Sequence, residues 1–274
     1  LAVVSCSGPK ALQVTPDKDL LQTVESAFAP AADQYKLLAK ALPPGKFPKN
    51  YDPKKEAYEF SGSEWWCSGF YPGTLLYLYE QTKDTVLYIE ALRMLALLEK
   101  EKMNTGTHDL GFMMFCSFGN ANRIAPKPEY REILLQSAKS LSTRFNPTVG
   151  TIKSWNSKPS DFLVIIDNMM NLELLFEATK LTGDSSFYKI AVSHANTTIK
   201  NHFRPDYSSY HVIDYDPNTG VVLKKNTHQG YSHESAWARG QAWALYGYTM
   251  CYRYTKDPAY LKQAEGVAGF ILNH

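Results

Sequence analysis

One short link recurs three times in this chain and constrains its fold more than any other feature: Thr82-Lys83-Asp84, Thr182-Gly183-Asp184 and Thr255-Lys256-Asp257. Each copy lies between two stretches whose apolar residues repeat at helical spacing. The first is followed by Leu87, Ala91, Leu95 and Leu98, the second by Tyr188, Ala191, Ala195 and Ile199, and the third by Tyr260, Ala264 and Ala268. In each copy the leading helix is apolar nearly all round, as an enclosed helix must be, and the following one is amphipathic, as an outer helix must be. A fourth copy with a weaker link runs from Asp109 through Phe118, turns near Pro126 to Pro128 and continues from Glu129 to Phe145. Hairpins of this kind cannot bury their apolar faces singly, so they stack into a solenoid or close into an α/α toroid.

Ahead of the repeats, Leu20, Val24, Ala27, Phe28, Ala31, Tyr35, Leu38 and Leu42 mark one more amphipathic helix, ended by Pro43-Pro44-Gly45. A polar loop rich in lysine and proline is expected from there to about Ser63. The pattern thus predicts nine helices, a lone opener and four pairs, in an all-α (α/α)6 barrel whose last three helices lie beyond His274. At 274 residues the chain has an ordinary length for a fold with one continuous core. One insertion breaks the helical rhythm. Ser209 to Tyr215 alternates at period two, Asp216-Pro217-Asn218-Thr219-Gly220 is a turn, and Val221-Val222-Leu223 returns, so a small β-hairpin is expected over one end of the barrel.

Residues 1–18 read as a targeting remnant and linker, with the barrel domain over 19–274. The opening Leu1-Ala2-Val3-Val4-Ser5-Cys6-Ser7-Gly8 is an apolar scrap that ends in a small residue before cysteine. It resembles the bacterial lipobox, which implies a lipidated Cys6 and a periplasmic, membrane-anchored protein. Ordinary signal-peptide remains fit the same residues. Cys67, Cys116 and Cys251 lie among apolar and aromatic neighbours without CxxC spacing, which points to buried thiols and not to a disulfide framework.

Net charge is only +2 with no basic run, so nothing suggests nucleic acid as a partner. Zinc-type ligand spacing, a nucleophile elbow and a phosphate-binding loop are all missing, and no metal or cofactor is expected. What the chain does have is an unusual cluster before each inner helix: Trp65 to Gly73, His108 to Phe112, Ile165 to Asn171, and Ser235 to Trp243. Parallel inner helices bring such clusters to one mouth. All five tryptophans lie in or beside them, and aromatic faces among acids, amides and an arginine suit a sugar. Any of the five, Trp66 included, is a candidate stacking face.

Asp167, in Ile165-Ile166-Asp167-Asn168-Met169-Met170-Asn171, has two readings. It caps a helix, accepting the free amides of the first turn; or its apolar neighbours strip water from the carboxyl and raise its pKa for acid–base work. Asp109 has the same two readings, and a pair of carboxylates at one mouth favours the catalytic one.

Beyond these readings, HDLGF at His108 to Phe112, GTIKSW at Gly150 to Trp155, IIDNMMNLELLFEA at Ile165 to Ala178, SSYHV at Ser208 to Val212, and THQGY with SAWARGQAW between Thr227 and Trp243 resemble the unsaturated glucuronyl hydrolases. The resemblance covers most of the chain from about Trp65 onward, in the same order. It implies a six-hairpin (α/α) barrel, no metal cofactor, and as substrate the unsaturated uronide oligosaccharides left by polysaccharide lyases. By position it makes Asp167 the general acid/base and Asp109 an auxiliary carboxylate, with His211, Gln229, Arg239, Trp155 and Trp243 binding the sugar. The family's three further helices have no counterpart before His274. Two other readings remain open at this point: an unsaturated rhamnogalacturonyl hydrolase acting on pectin fragments, and a non-catalytic sugar-binding lipoprotein.

Overall fold

The computed structural model describes residues 17–156, 158 and 160–274. Cys6 lies outside the described residues. Helix α1 (Lys18–Ala41) is followed by a two-stranded hairpin, β1 (Phe47–Asp52) and β2 (Ala57–Ser61), then by α2 (Phe70–Thr82), α3 (Thr85–Leu98) and a 3-10 turn (Glu99–Met103). A π-helical segment (Gly111–Gly119) runs directly into α4 (Asn120–Ile124), and α5 (Pro128–Ser142) completes that pair. Then come β3 (Phe145–Asn146), β4 (Thr151–Ile152), β5 (Phe162–Ile165), a second 3-10 turn (Ile166–Asn171), α6 (Leu172–Thr182) and α7 (Ser185–His202). Strands β6 (Val212–Tyr215) and β7 (Val222–Asn226) precede the last pair, α8 (Ala238–Thr255) and α9 (Pro258–Asn273).

The recurring link performs the same three operations each time. The threonine hydroxyls of Thr82, Thr182 and Thr255 donate to the carbonyls of Leu78, Ala178 and Cys251 at 2.8, 2.7 and 2.8 Å. The middle residue turns left-handed, with φ of 59° at Lys83, 77° at Gly183 and 60° at Lys256, which ends the inner helix. The aspartate then caps the outer helix: Asp84, Asp184 and Asp257 accept the amides of Val86, Ser186 and Ala259 at 2.9, 2.8 and 2.9 Å. Only the fourth pair manages without it, starting α5 on Pro128, whose missing amide needs no partner.

Inner helices pack in chain order, α2 on the π-helical segment, that segment on α6, and α6 on α8, while α3, α5, α7 and α9 lie outside them. This is an arc of an (α/α) barrel. Leu75, Leu76, Met113, Met114, Leu174, Leu175 and Tyr248 are buried from the inner elements, whereas outer α3 buries Leu87, Ala91, Leu95 and Leu98 and exposes Val86 and Ile89. No helix among the described residues is long and apolar enough to cross a membrane.

Three sequence expectations need correction. The supposed loop before Ser63 holds the β1–β2 pair, hidden because its prolines and lysines leave only Phe47 fully buried. The predicted β-hairpin exists, but starts at Val212 instead of Ser209, and gains a third strand: β5 pairs antiparallel with β6, Val164 opposite Ile213 and Ile165 opposite Val212. An unbroken run such as Phe162-Leu163-Val164-Ile165 does not distinguish a buried strand from a helix by period. The helix after Asp109 is wound wide for nine residues, with the Ser117 hydroxyl donating to the Met113 carbonyl at 2.6 Å. Wide turns of this kind gather at functional sites.

Candidate active site

Strand β5 delivers the chain into the 3-10 turn that carries Asp167, and the π-helical segment begins two residues after Asp109. These two elements touch. A Cβ on Gly111 would fall 2.4 Å from the Asn171 Cα, so only glycine permits the approach. Asn171 exploits it by accepting the Phe112 amide at 2.9 Å through its oxygen and reaching the Asp109 carboxylate at 3.5 Å through its nitrogen.

Neither aspartate side chain caps a helix. Asp167 Oδ2 is buried without a hydrogen-bond partner, and the helical segments beginning near it have no side-chain cap. The Asp109 carboxylate instead meets Asn171, the Thr107 hydroxyl at 3.4 Å and His108 Nε2 at 3.3 Å. With capping removed, what remains is a carboxyl in a desolvated setting. Burial, reinforced by the negative charge of Asp109, pushes its pKa up to about 7, against the opposing pull of its own backbone amide, Arg239 and the Trp243 indole N–H. That indole N–H is buried and makes no hydrogen bond of its own.

His211 faces Asp167 from β6's edge, Nε2 to Oδ2 at 3.6 Å, just beyond hydrogen-bond reach. Its other nitrogen accepts the backbone amides of His228 and Gln229 at 3.1 and 3.3 Å. Because a backbone amide only donates, Nδ1 must be bare and Nε2 must carry the hydrogen, pointed at Asp167. Burial lowers the His211 pKa to about 4, so the ring is neutral across ordinary pH.

Aromatic groups flank the carboxylates on two sides. Trp66, Phe112 and Trp243 form a connected series, with ring centroids 5.6 and 5.2 Å apart, that ends against Asp167. On the other side Trp155 meets the rings of His211 at 6.0 Å and His228 at 5.3 Å. Arg239 donates to the Gln229 side-chain oxygen at 2.7 Å and lies over Trp237, 4.4 Å from its ring. Every candidate named from the sequence except Cys6 is therefore gathered at this mouth: Asp109, Asp167, His211, Gln229, Arg239, Trp66, Trp155 and Trp243.

Sequence reading did not single out Trp237, whose ring lies 4.4 Å from that of His211, nor Asn171 as the brace of Asp109. The SAWARGQAW run contains the first but says nothing of which face it turns. Asn168, beside Asp167, faces away: it is fully buried and donates to the Ile152 carbonyl at 2.9 Å. Of the three thiols expected to be buried, Cys251 is, whereas Cys67 and Cys116 are half-buried; desolvation still raises the pKa of each, so none is a ready nucleophile here.

A separate cavity, about 660 Å³, runs along the inner helices, from Phe70 and Glu173 in the first turns of α2 and α6 to Arg253 near the end of α8, and is also lined by Tyr77, Arg123 and Tyr246. It contains neither aspartate, and the paired carboxylates make the mouth around Asp167 the better candidate for chemistry.

Known proteins place this geometry in context. Residues 44–273 match glycosyl hydrolase family 88. An unsaturated glucuronyl hydrolase of Formosa agariphila is 50% identical over 242 residues, 87% of this chain and 60% of that protein. An unsaturated chondroitin disaccharide hydrolase of Streptococcus pyogenes is 35% identical over 80% of this chain and 56% of its own length. Among solved structures, an unsaturated glucuronyl hydrolase specific for heparin superposes with a TM-score of 0.88 at 46% identity, covering 91% of this chain and 67% of that one. The enzyme from Bacillus sp. GL1, described as responsible for glycosaminoglycan degradation, gives 0.84 at 30% identity over 92% and 67%. The chain thus spans somewhat under two thirds of the length of the curated relatives it matches. It belongs to glycosyl hydrolase family 88.

Proposed function

We propose that this chain carries the catalytic mouth of an unsaturated glucuronyl hydrolase, which removes the unsaturated uronic acid from the non-reducing end of lyase-generated, glycosaminoglycan-type oligosaccharides. The observation that carries the reading is Asp167: a carboxyl with a pKa raised to about 7, set between a neutral imidazole and a tryptophan indole, with a second carboxylate braced nearby. Such a group is half protonated near neutrality, as a residue that first gives a proton and then takes one requires.

A lyase product has a C4=C5 double bond conjugated with its ring oxygen. Asp167 gives its proton to C4, and positive charge develops at C5 and the ring oxygen. The Asp167 carboxylate then takes a proton from water as that water adds to C5. The resulting hemiketal opens, releasing the remainder of the saccharide. Asp109 raises the proton affinity of Asp167 by repulsion, and His211 directs its Nε2–H toward the carboxylate left after protonation. Trp66, Trp155 and Trp243 offer faces to the sugar rings, while Arg239 and Gln229 meet the substrate carboxylate and hydroxyls. This route needs one acid at C4 and water at C5, unlike the paired attack at C1 of ordinary glycosidases.

The glucuronyl reading is preferred to a pectin-fragment hydrolase because relatives in both comparisons are named for glucuronyl or chondroitin substrates. A sugar-binding lipoprotein would not require a desolvated acid. The lipobox-like start supports a lipid-anchored, periplasmic location for the same protein.

The test is the near-ultraviolet absorbance of lyase-generated unsaturated disaccharides, which should disappear with the protein present, with deuterium entering C4 when the reaction runs in heavy water. Asp167→Asn should lower turnover by at least about 10²-fold with binding largely kept. Turnover without deuterium at C4 would exclude the mechanism.

A further inference from the structure

We infer that Arg144 is a positioning residue of this reaction: it clasps the turn that carries Asp109 to the segment that carries Trp155. It lies outside the barrel, just past the end of α5, and no sequence motif points to it. The residue is nonetheless buried, only 9% exposed, and its guanidinium makes four hydrogen bonds. Nε donates to the Lys153 carbonyl at 2.9 Å, Nη1 to the Thr105 carbonyl at 2.8 Å, and Nη2 to the Ser154 carbonyl and the Asn156 side-chain oxygen, both at 3.0 Å. Asn156 closes the loop by donating to the Gly106 carbonyl at 3.3 Å. One planar fork thus spans residues 105–106 and residues 153–156, immediately before Asp109 and around Trp155. A lysine has no such fork and cannot make the same set of bonds.

All four acceptors are neutral, and a buried cation is costly unless its hydrogen bonds are satisfied, which these four carbonyl and amide oxygens do. On the far side of the clasped turn Asp109 meets His108, Thr107 and Asn171, and Asn171 belongs to the turn that carries Asp167. The fork therefore sets where Asp109 sits against Asp167, and where Trp155 sits against His211.

The inference rests on Asp109 and Asp167 acting as the acid pair, and variants of the full chain test it. Asp167 faces Asp109, Arg239 and His211, and of these Asp109 is the one that the clasp places. Arg144→Lys keeps the charge but not the fork, so kcat on an unsaturated disaccharide should fall at least about tenfold, the cost of a misplaced catalytic group, and the limb of the pH–kcat profile set by Asp167 should move to lower pH as Asp109 shifts away. A wild-type kcat, or a limb that stays at its wild-type pH, overturns the proposal. Asn156→Ala removes one arm of the clasp and leaves Arg144 in place; it should move the limb the same way by less, and an unmoved limb there decides against the clasp even if Arg144→Lys does not fold. Should the wild type itself leave the disaccharide untouched, the functional reading fails, while ¹³C NMR titration of Asp167 in the wild type and the variants still judges the clasp.

Discussion

Asp167→Asn should stabilise the protein while disabling it, and the gain should depend on pH. A carboxyl whose pKa rises from 3.8 to about 7 on folding holds its proton more tightly in the native state. Between about pH 4 and pH 7 the native chain therefore binds more protons than the unfolded one, and stability falls as pH rises through that window. At 1.36 kcal/mol per unit, the shift costs the native state about 4 kcal/mol once Asp167 is ionised in both states. The side chain is only 15% exposed, so solvent screens little of this. Asparagine has the same shape, never ionises, and offers its oxygen to the His211 Nε2–H. Denaturant unfolding of wild type and variant should thus agree at about pH 4 and diverge by up to about 4 kcal/mol in the variant's favour at about pH 8. Equal stability differences at the two pH values, or a variant weaker at the higher one, would refute the claim that desolvation dominates at Asp167.

The raised pKa also predicts that kcat falls as pH rises through about 7, since Asp167 must start protonated, and that Asp109→Asn moves this limb to lower pH by removing the repelling charge. A pH–rate profile of the residual activity checks both. Gly111→Ala should cost about 1–3 kcal/mol of stability and most of the turnover, because the new methyl meets the Asn171 backbone, which cannot yield as a side chain would; thermal unfolding and an activity assay read the two effects. Labelled fatty acid should enter a chain bearing the natural leader, and Cys6→Ala should abolish the incorporation; label surviving the substitution would exclude an anchor at Cys6.

Much of this molecule is legible in the chain because its determinants are local. The Thr-x-Asp link needs only a hydroxyl, a left-handed residue and a capping carboxylate in succession, so three helix junctions can be read directly from the sequence. Helical period likewise reveals inner and outer helices, and with them the convergence of their leading clusters. The sequence also marks Asp167, because isoleucine and methionine flanks are a local cause of desolvation. Whether that aspartate caps a helix or faces a cavity depended on the orientation of its turn, and this was decided by β5 pairing with β6, a contact between residues about 50 positions apart. The same holds for the hydrogen on His211, assigned by amides of a loop some 17 residues away, and for the approach of Gly111 to Asn171. Arg144 is the clearest case. Nothing in Ser142-Thr143-Arg144-Phe145 distinguishes a solvated arginine from one whose four hydrogen bonds join two loops of the site, because its acceptors are backbone carbonyls and an amide that only the folded chain brings together.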